Sequence, residues 1–111
     1  MKKIYRLKLQ RDFDNVFKRG RTASLSQIAI KYAKNNLNHC RLAEIISKKT
    51  TKKANQRNLL RRRLKEIIRA EHLKNLDNWD IVIIPKSELL KKDFAELKEA
   101  VRLILKKAEL I

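Results

Sequence analysis

In Gln10–Arg19, QRDFDNVFKR, the apolar residues Phe13, Val16 and Phe17 recur at i, i+3 and i+4. That spacing predicts a helix with one apolar face. Gly20 follows, where a left-handed C-terminal cap is expected. The period then shortens. Leu25, Ile28, Ile30 and Tyr32 in SLSQIAIKYAKN predict a strand with alternating sides, and a short strand near Arg21–Ser24 precedes it. NNLNHC reads as an Asn-rich turn, and RLAEIIS (Arg41–Ser47) as a second long strand. Thr50 or Thr51 in the connector KKTTKK is placed to cap a helix running to about Leu73 or Lys74, where NLDN breaks it. WDIVIIP predicts a strand from Trp79 to Ile84, ended by Pro85. Ser87 is placed to cap a last helix, Glu88 to about Ala108, with an apolar stripe of Leu90, Phe94, Leu97, Val101, Ile104, Leu105 and Ala108. The order αβββαβα predicts an α+β fold: one domain over residues 1–111, with three helices packed as a single layer on a small sheet of about four strands.

The long middle helix, ANQRNLLRRRLKEIIR, carries two faces. At about 100° per residue, Leu60, Leu64, Ile67 and Ile68 share one arc, and Asn58, Arg61, Arg62, Lys65 and Arg69 share a neighbouring one. Arg61, Lys65 and Arg69 form an i, i+4, i+8 row with neighbours roughly 6 Å apart, a spacing that meets successive phosphates. Like charges so placed oppose helix formation by a few tenths of a kcal/mol per pair. Glu66 is positioned to offset part of this through Arg62 and Arg69. Arg57, at the edge of the apolar arc, is expected at the rim of the core with its head extended outward.

Charge enlarges the picture. The chain has 29 Lys plus Arg against 12 Asp plus Glu, a net charge of +17. Such an excess repels itself unless a polyanion is near, and nucleic acid is the commonest one. The connector adds Lys48, Lys49, Lys52 and Lys53 to the same sign. A hydrophobic content of 43% provides a core and excludes a disordered basic tail. No apolar run approaches a membrane span of about 20 residues, and no apolar stretch follows the N-terminal lysines as in a signal peptide. No membrane partner and a cytoplasmic location are therefore expected. Cys40 is the one cysteine, so an internal disulfide is impossible and a reducing compartment is expected.

Candidate chemistry is sparse. His39, Cys40 and His72 lack zinc-site spacing, and the carboxylates Asp12, Asp14, Glu44, Glu66, Asp77 and Asp80 are scattered rather than clustered for a two-metal centre. No catalytic residue and no metal ligand is expected. Phe13, Phe17 and Tyr32 offer aromatic faces that stack single-stranded bases, or else simply fill the core.

SKKTTKKANQRNLLRRRLKE resembles the signature of the bacterial ribonuclease P protein subunit. Ser47, Lys48 and Lys49 stand where that family ends a strand in Ser/Ala-Lys-Lys. Ala54, Arg57, Asn58, Arg61, Arg62, Lys65 and Glu66 match its basic helix in order. FDNVFKRG resembles the family's first helix, Phe-x-x-Val-Phe-x-x-Gly, and WDIVIIP sits where its last strand belongs. Leu59 stands at a position usually held by Arg, Arg63 at one usually apolar, Lys65 at one usually Arg, and Ala43 at one usually Gly. An aromatic of the strand after the first helix is replaced by Lys31 or matched by Tyr32, depending on register.

The resemblance implies a ribosomal-protein-S5-like fold with a left-handed βαβ crossover, against the usual hand. It implies a subunit of a ribonucleoprotein endoribonuclease, a hydrolase that removes the 5′ leader of precursor tRNA. The catalytic centre would be RNA, with Mg²⁺ held mainly by RNA and none bound tightly by the protein. Lys48, Lys49, Lys52, Lys53, Arg57, Asn58, Arg61, Arg62, Lys65 and Arg69 would bind the ribonuclease P RNA. Phe13, Phe17 and Lys31 or Tyr32 would line a cleft for the leader. A monomer, one per RNA, is implied. A small ribosomal protein is the competing reading; it explains charge and size but not the motif order.

Overall fold

The computed structural model describes residues 4–70 and 76–111. Its elements are β1 (Tyr5–Arg6), α1 (Gln10–Arg19), β2 (Arg21–Ser24), β3 (Ile28–Lys34), β4 (Arg41–Glu44), α2 (Ala54–Ala70), β5 (Trp79–Pro85), a 3₁₀ turn (Ser87–Lys91) and α3 (Phe94–Lys107). They form a five-stranded mixed sheet in the order β1-β4-β5-β3-β2. β1, β4 and β5 run parallel, whereas β3 and β2 pair antiparallel to their neighbours. The expected α+β class holds, with one strand more than expected. β1 has only two residues, too few for a readable alternation, and exists because its partner β4 would otherwise be an open edge.

The sheet is covered on both faces, not one. Ile28, Ile30, Tyr32, Leu42, Ile81 and Ile83 point toward α2 and α3, meeting Leu60, Leu64, Ile67, Ile68, Leu97, Val101 and Ile104. On the opposite face Ala33, Ala43 and Val82 meet Leu7 and Val16 under α1, with Phe13 and Ile84 at the margin. Three layers result. The apolar run Ile81–Ile84 marks β5 as a central strand with packing on both sides. The small Ala33 and Ala43 hide the second face from a pattern search.

Several boundaries move. β4 ends at Glu44 rather than Ser47, and β5 includes Pro85, paired with Ile28 at the end of the ladder. α2 is described to Ala70; its expected end near Leu73 or Lys74 falls outside the described residues. The expected last helix is two pieces. Ser87 opens a 3₁₀ turn and makes no side-chain cap, whereas Asp93 caps α3 through a reciprocal capping box with Glu96. The Glu96 N–H donates to Asp93 Oδ1 at 2.8 Å and the Asp93 N–H to Glu96 Oε1 at 3.3 Å. The stripe expected on that helix is buried at Leu97, Val101, Ile104, Leu105 and Ala108, but Phe94 is exposed because the break turns it outward.

Gly20 is not a left-handed cap. Its φ is −76° and ψ 166°, and its N–H donates to Val16 O. Close approach is what requires glycine here: a Cβ would lie 2.2 Å from Val16 O and 2.8 Å from Tyr32 O. This contact seats the end of α1 on β3.

Candidate nucleic-acid interface

α2 separates its residues as the helical wheel predicts. Leu60, Leu64, Ile67 and Ile68 are buried, and Asn58, Arg62, Lys65 and Arg69 are exposed. Arg61 is half-buried; one Nη donates to Asn58 Oδ1 at 3.2 Å, and its Nε is shielded from solvent without a hydrogen-bond partner. The expected relief from Glu66 is missing, since Glu66 forms no ion pair with Arg62 or Arg69. The ridge's positive charge therefore stands uncompensated within the helix. Arg57 departs from expectation. Its guanidinium folds back and donates to Thr51 O at 3.0 Å, bracing the connector instead of reaching outward.

The connector is built around hydroxyls. Thr50 N–H donates to Ser47 O at 3.0 Å, and Lys53 N–H to Thr51 Oγ1 at 3.2 Å. Thr51 Oγ1 also donates to Gln56 Oε1 at 2.6 Å. Thr51 is thus the residue that braces the start of α2, from a position just before the helix. Lys48, Lys49, Lys52 and Lys53 are left exposed and, among the described residues, their side chains are unpaired, continuous in sequence with the cationic ridge.

A different surface forms on the other side of the sheet. Lys31 and Tyr32 point to opposite faces, and Lys31 is the one beside α1. Its ammonium lies 5.5 Å from the Phe17 ring centroid and donates to Thr22 Oγ1 at 3.1 Å. Phe17 is 43% exposed, and Phe13 is partly buried against the small core under α1. Phe17 is thus a surface aromatic, whereas Phe13 sits at the margin of the core. Tyr32 belongs to the opposite core, edge-on to Trp79 with centroids 5.6 Å apart. The structure brings Phe17 and Lys31 together, leaves Phe13 one helical turn away at the margin of the small core, and excludes Tyr32 from this group. It also puts α1 and α2 on opposite faces of the sheet, so the aromatic and basic groups are separate surfaces.

Arg41 sets the position of α1, a role its place in an apolar strand did not signal. Its guanidinium grips Asp80 through Nε at 2.8 Å and Nη2 at 2.7 Å, and reaches Asp12 Oδ2 at 2.9 Å. Asn35 Nδ2 donates to Asp80 Oδ1 at 2.7 Å. The hydrogen bond to Asp80 raises the Arg41 pKa further above its usual value, so the charge is permanent. Glu44, buried, pairs with Arg6. These carboxylates are neutralised by arginines, and among the described residues no three His, Cys, Asp or Glu side chains gather as a metal cage. Also among the described residues, no helix is long and apolar enough to cross a membrane.

Comparison with known proteins agrees with this arrangement. The Ribonuclease P family profile matches residues 1–109. The chain is 33% identical over 112 residues to the ribonuclease P protein component of Petrotoga mobilis, covering 97% of this chain and 94% of the relative. It is 34% identical over 108 residues to that of Thermotoga maritima, covering 94% and 92%. Among solved structures, a Staphylococcus aureus RNase P protein superposes with a TM-score of 0.86 at 25% identity, covering 97% of this chain and 98% of that one. The Thermotoga maritima RNase P protein gives 0.78 at 31% identity, covering 91% and 96%. A match along nearly the whole chain, joined to the same fold and to an unpaired basic helix, makes this chain a member of the ribonuclease P protein family.

Proposed function

We propose that the chain is the RNA-binding protein subunit of a ribonucleoprotein endoribonuclease that removes the 5′ leader of precursor tRNA. The observation that carries this reading is the uncompensated ridge on α2. Asn58, Arg61, Arg62, Lys65 and Arg69 lie beside a fully buried apolar face, so the ridge is held rigidly. Phosphates of the RNA subunit supply the missing negative charge, and the connector lysines extend the contact.

The α1 face takes the leader. Phe17 stacks on an unpaired base, and Lys31, already above that ring, neutralises the adjoining phosphate. Leu59 and Arg63 fall outside this scheme, because both line a groove against Leu89, Leu90 and Leu97.

Asp12, Asp80 and Glu44 do not fit a resident Mg²⁺, since Arg41 and Arg6 already neutralise them, and among the described residues no other three carboxylate, His or Cys side chains gather. No step is assigned to a protein-held metal; in this reading Mg²⁺ belongs to the RNA. The protein lends positive charge that lowers the repulsion between two RNAs. The test is reconstitution with the cognate catalytic RNA at low Mg²⁺. Stimulated leader cleavage is expected, and absence of stimulation overturns the proposal.

A further inference from the structure

A cavity of about 680 Å³ opens on the flank of α1 away from Phe17. Asn15 and Arg19 of α1, Arg21 of β2, Tyr32 and Lys34 of β3, and Trp79 of β5 line it. Helix geometry separates it from the Phe17 surface. At about 100° per residue, Asn15 and Arg19 lie about 40° apart, whereas Phe17 lies about 200° from Asn15. Val16, between them, is buried against the sheet.

The lining is cationic and aromatic. No carboxylate contributes to it. Among the described residues neither Arg19 nor Arg21 has a side-chain hydrogen bond or ion pair. Trp79 is partly exposed, and Tyr32 holds it edge-on at 5.6 Å and 61°. The Lys34 ammonium lies 5.7 Å from the Trp79 centroid, on an exposed four-carbon stem with several rotatable bonds. Two unpaired arginines beside an oriented indole match a phosphate and a base, and a volume of this size admits a nucleotide.

We infer that this cavity is a second single-stranded RNA site, separate from the Phe17 surface. A base stacks on Trp79 as Lys34 swings aside, and Arg19 and Arg21 take the flanking phosphate. The inference rests on the RNA-binding reading above and adds a location to it.

Trp79 is the only tryptophan in the chain and so reports on the site directly. The full-length protein is titrated with a short oligouridylate while its intrinsic fluorescence is followed. Binding of a fluorescein-labelled copy is measured in parallel by anisotropy. Saturable quenching of Trp79 is expected, with its midpoint weakened about tenfold or more in Arg19→Ala/Arg21→Ala. Inorganic polyphosphate, which has no base, should quench little. Three results overturn the site: binding by anisotropy with Trp79 silent, an unchanged midpoint in the double variant, or equal quenching by polyphosphate. If anisotropy also shows no binding, the RNA-binding reading falls together with the site.

Discussion

Arg41 stands in a strand between apolar neighbours, yet it decides where α1 sits. Asp80 is 1% exposed and needs a partner to be buried; Arg41 supplies it and extends to Asp12 on the first turn of α1. Cys40, next to it, illustrates the opposite case. Burial, followed by the nearby charges of Asp80 and Asp77, pushes its thiol up from 9.0 to about 12. The consequence for stability has a definite sign. Below pH 9 both the folded and the unfolded thiol are protonated, and nothing is lost. Between pH 9 and about 12 only the unfolded chain ionises, so folding weakens, by at most about 1.4 kcal/mol per pH unit. Urea unfolding of the parent and of Cys40→Ala should therefore show a gap in their pH profiles, the parent declining more steeply above pH 9. Parallel profiles would mean that the thiol is not shielded.

Among the elements, α3 and α2 show different sources of order. α3 begins where Asp93 and Glu96 satisfy two N–H groups reciprocally. Asp93→Ala should cost about 1 kcal/mol in urea unfolding, with the slope of the transition unchanged. A cost near zero would show that packing of Leu97 and Val101 alone starts the helix. α2 lacks any acidic residue in its first turn and carries repelling cations along one side. Its order comes from burying Leu60, Leu64, Ile67 and Ile68, not from favourable surface pairs. The capping box was missed in the sequence, where Ser87 is placed to cap the last helix; the break after the 3₁₀ turn moves the start to Asp93. The buried and exposed faces of α2 were legible, because a regular period of 3.6 fixes them once the axis is known; where the Arg57 head goes was not.

For the molecule as a whole, the net charge of +17 governs association more than folding. Affinity for the RNA subunit should fall steeply with salt. Arg61→Ala/Arg62→Ala should flatten the plot of log affinity against log salt by about one unit for each phosphate that the variant no longer neutralises. An unchanged slope would place these arginines away from the phosphates. The sheet divides the surfaces proposed to meet RNA: α2 on one face, Phe17 and Lys31 on the other, and the Trp79 cavity across α1 from them.

Helices, most strands, the basic ridge and the family signature follow from local period and residue order, since each depends on neighbours within a turn or two. The two-sided sheet, the strand β1 and the choice of Lys31 over Tyr32 as the partner of Phe17 depend on pairing between residues far apart in the chain. Side chains alternate along a strand, so a single-residue shift in register exchanges the two faces. Only the ladder of β3 between β2 and β5 settles which face each residue takes. The same holds for Arg19, Arg21, Lys34 and Trp79, which come from four elements and share no local pattern.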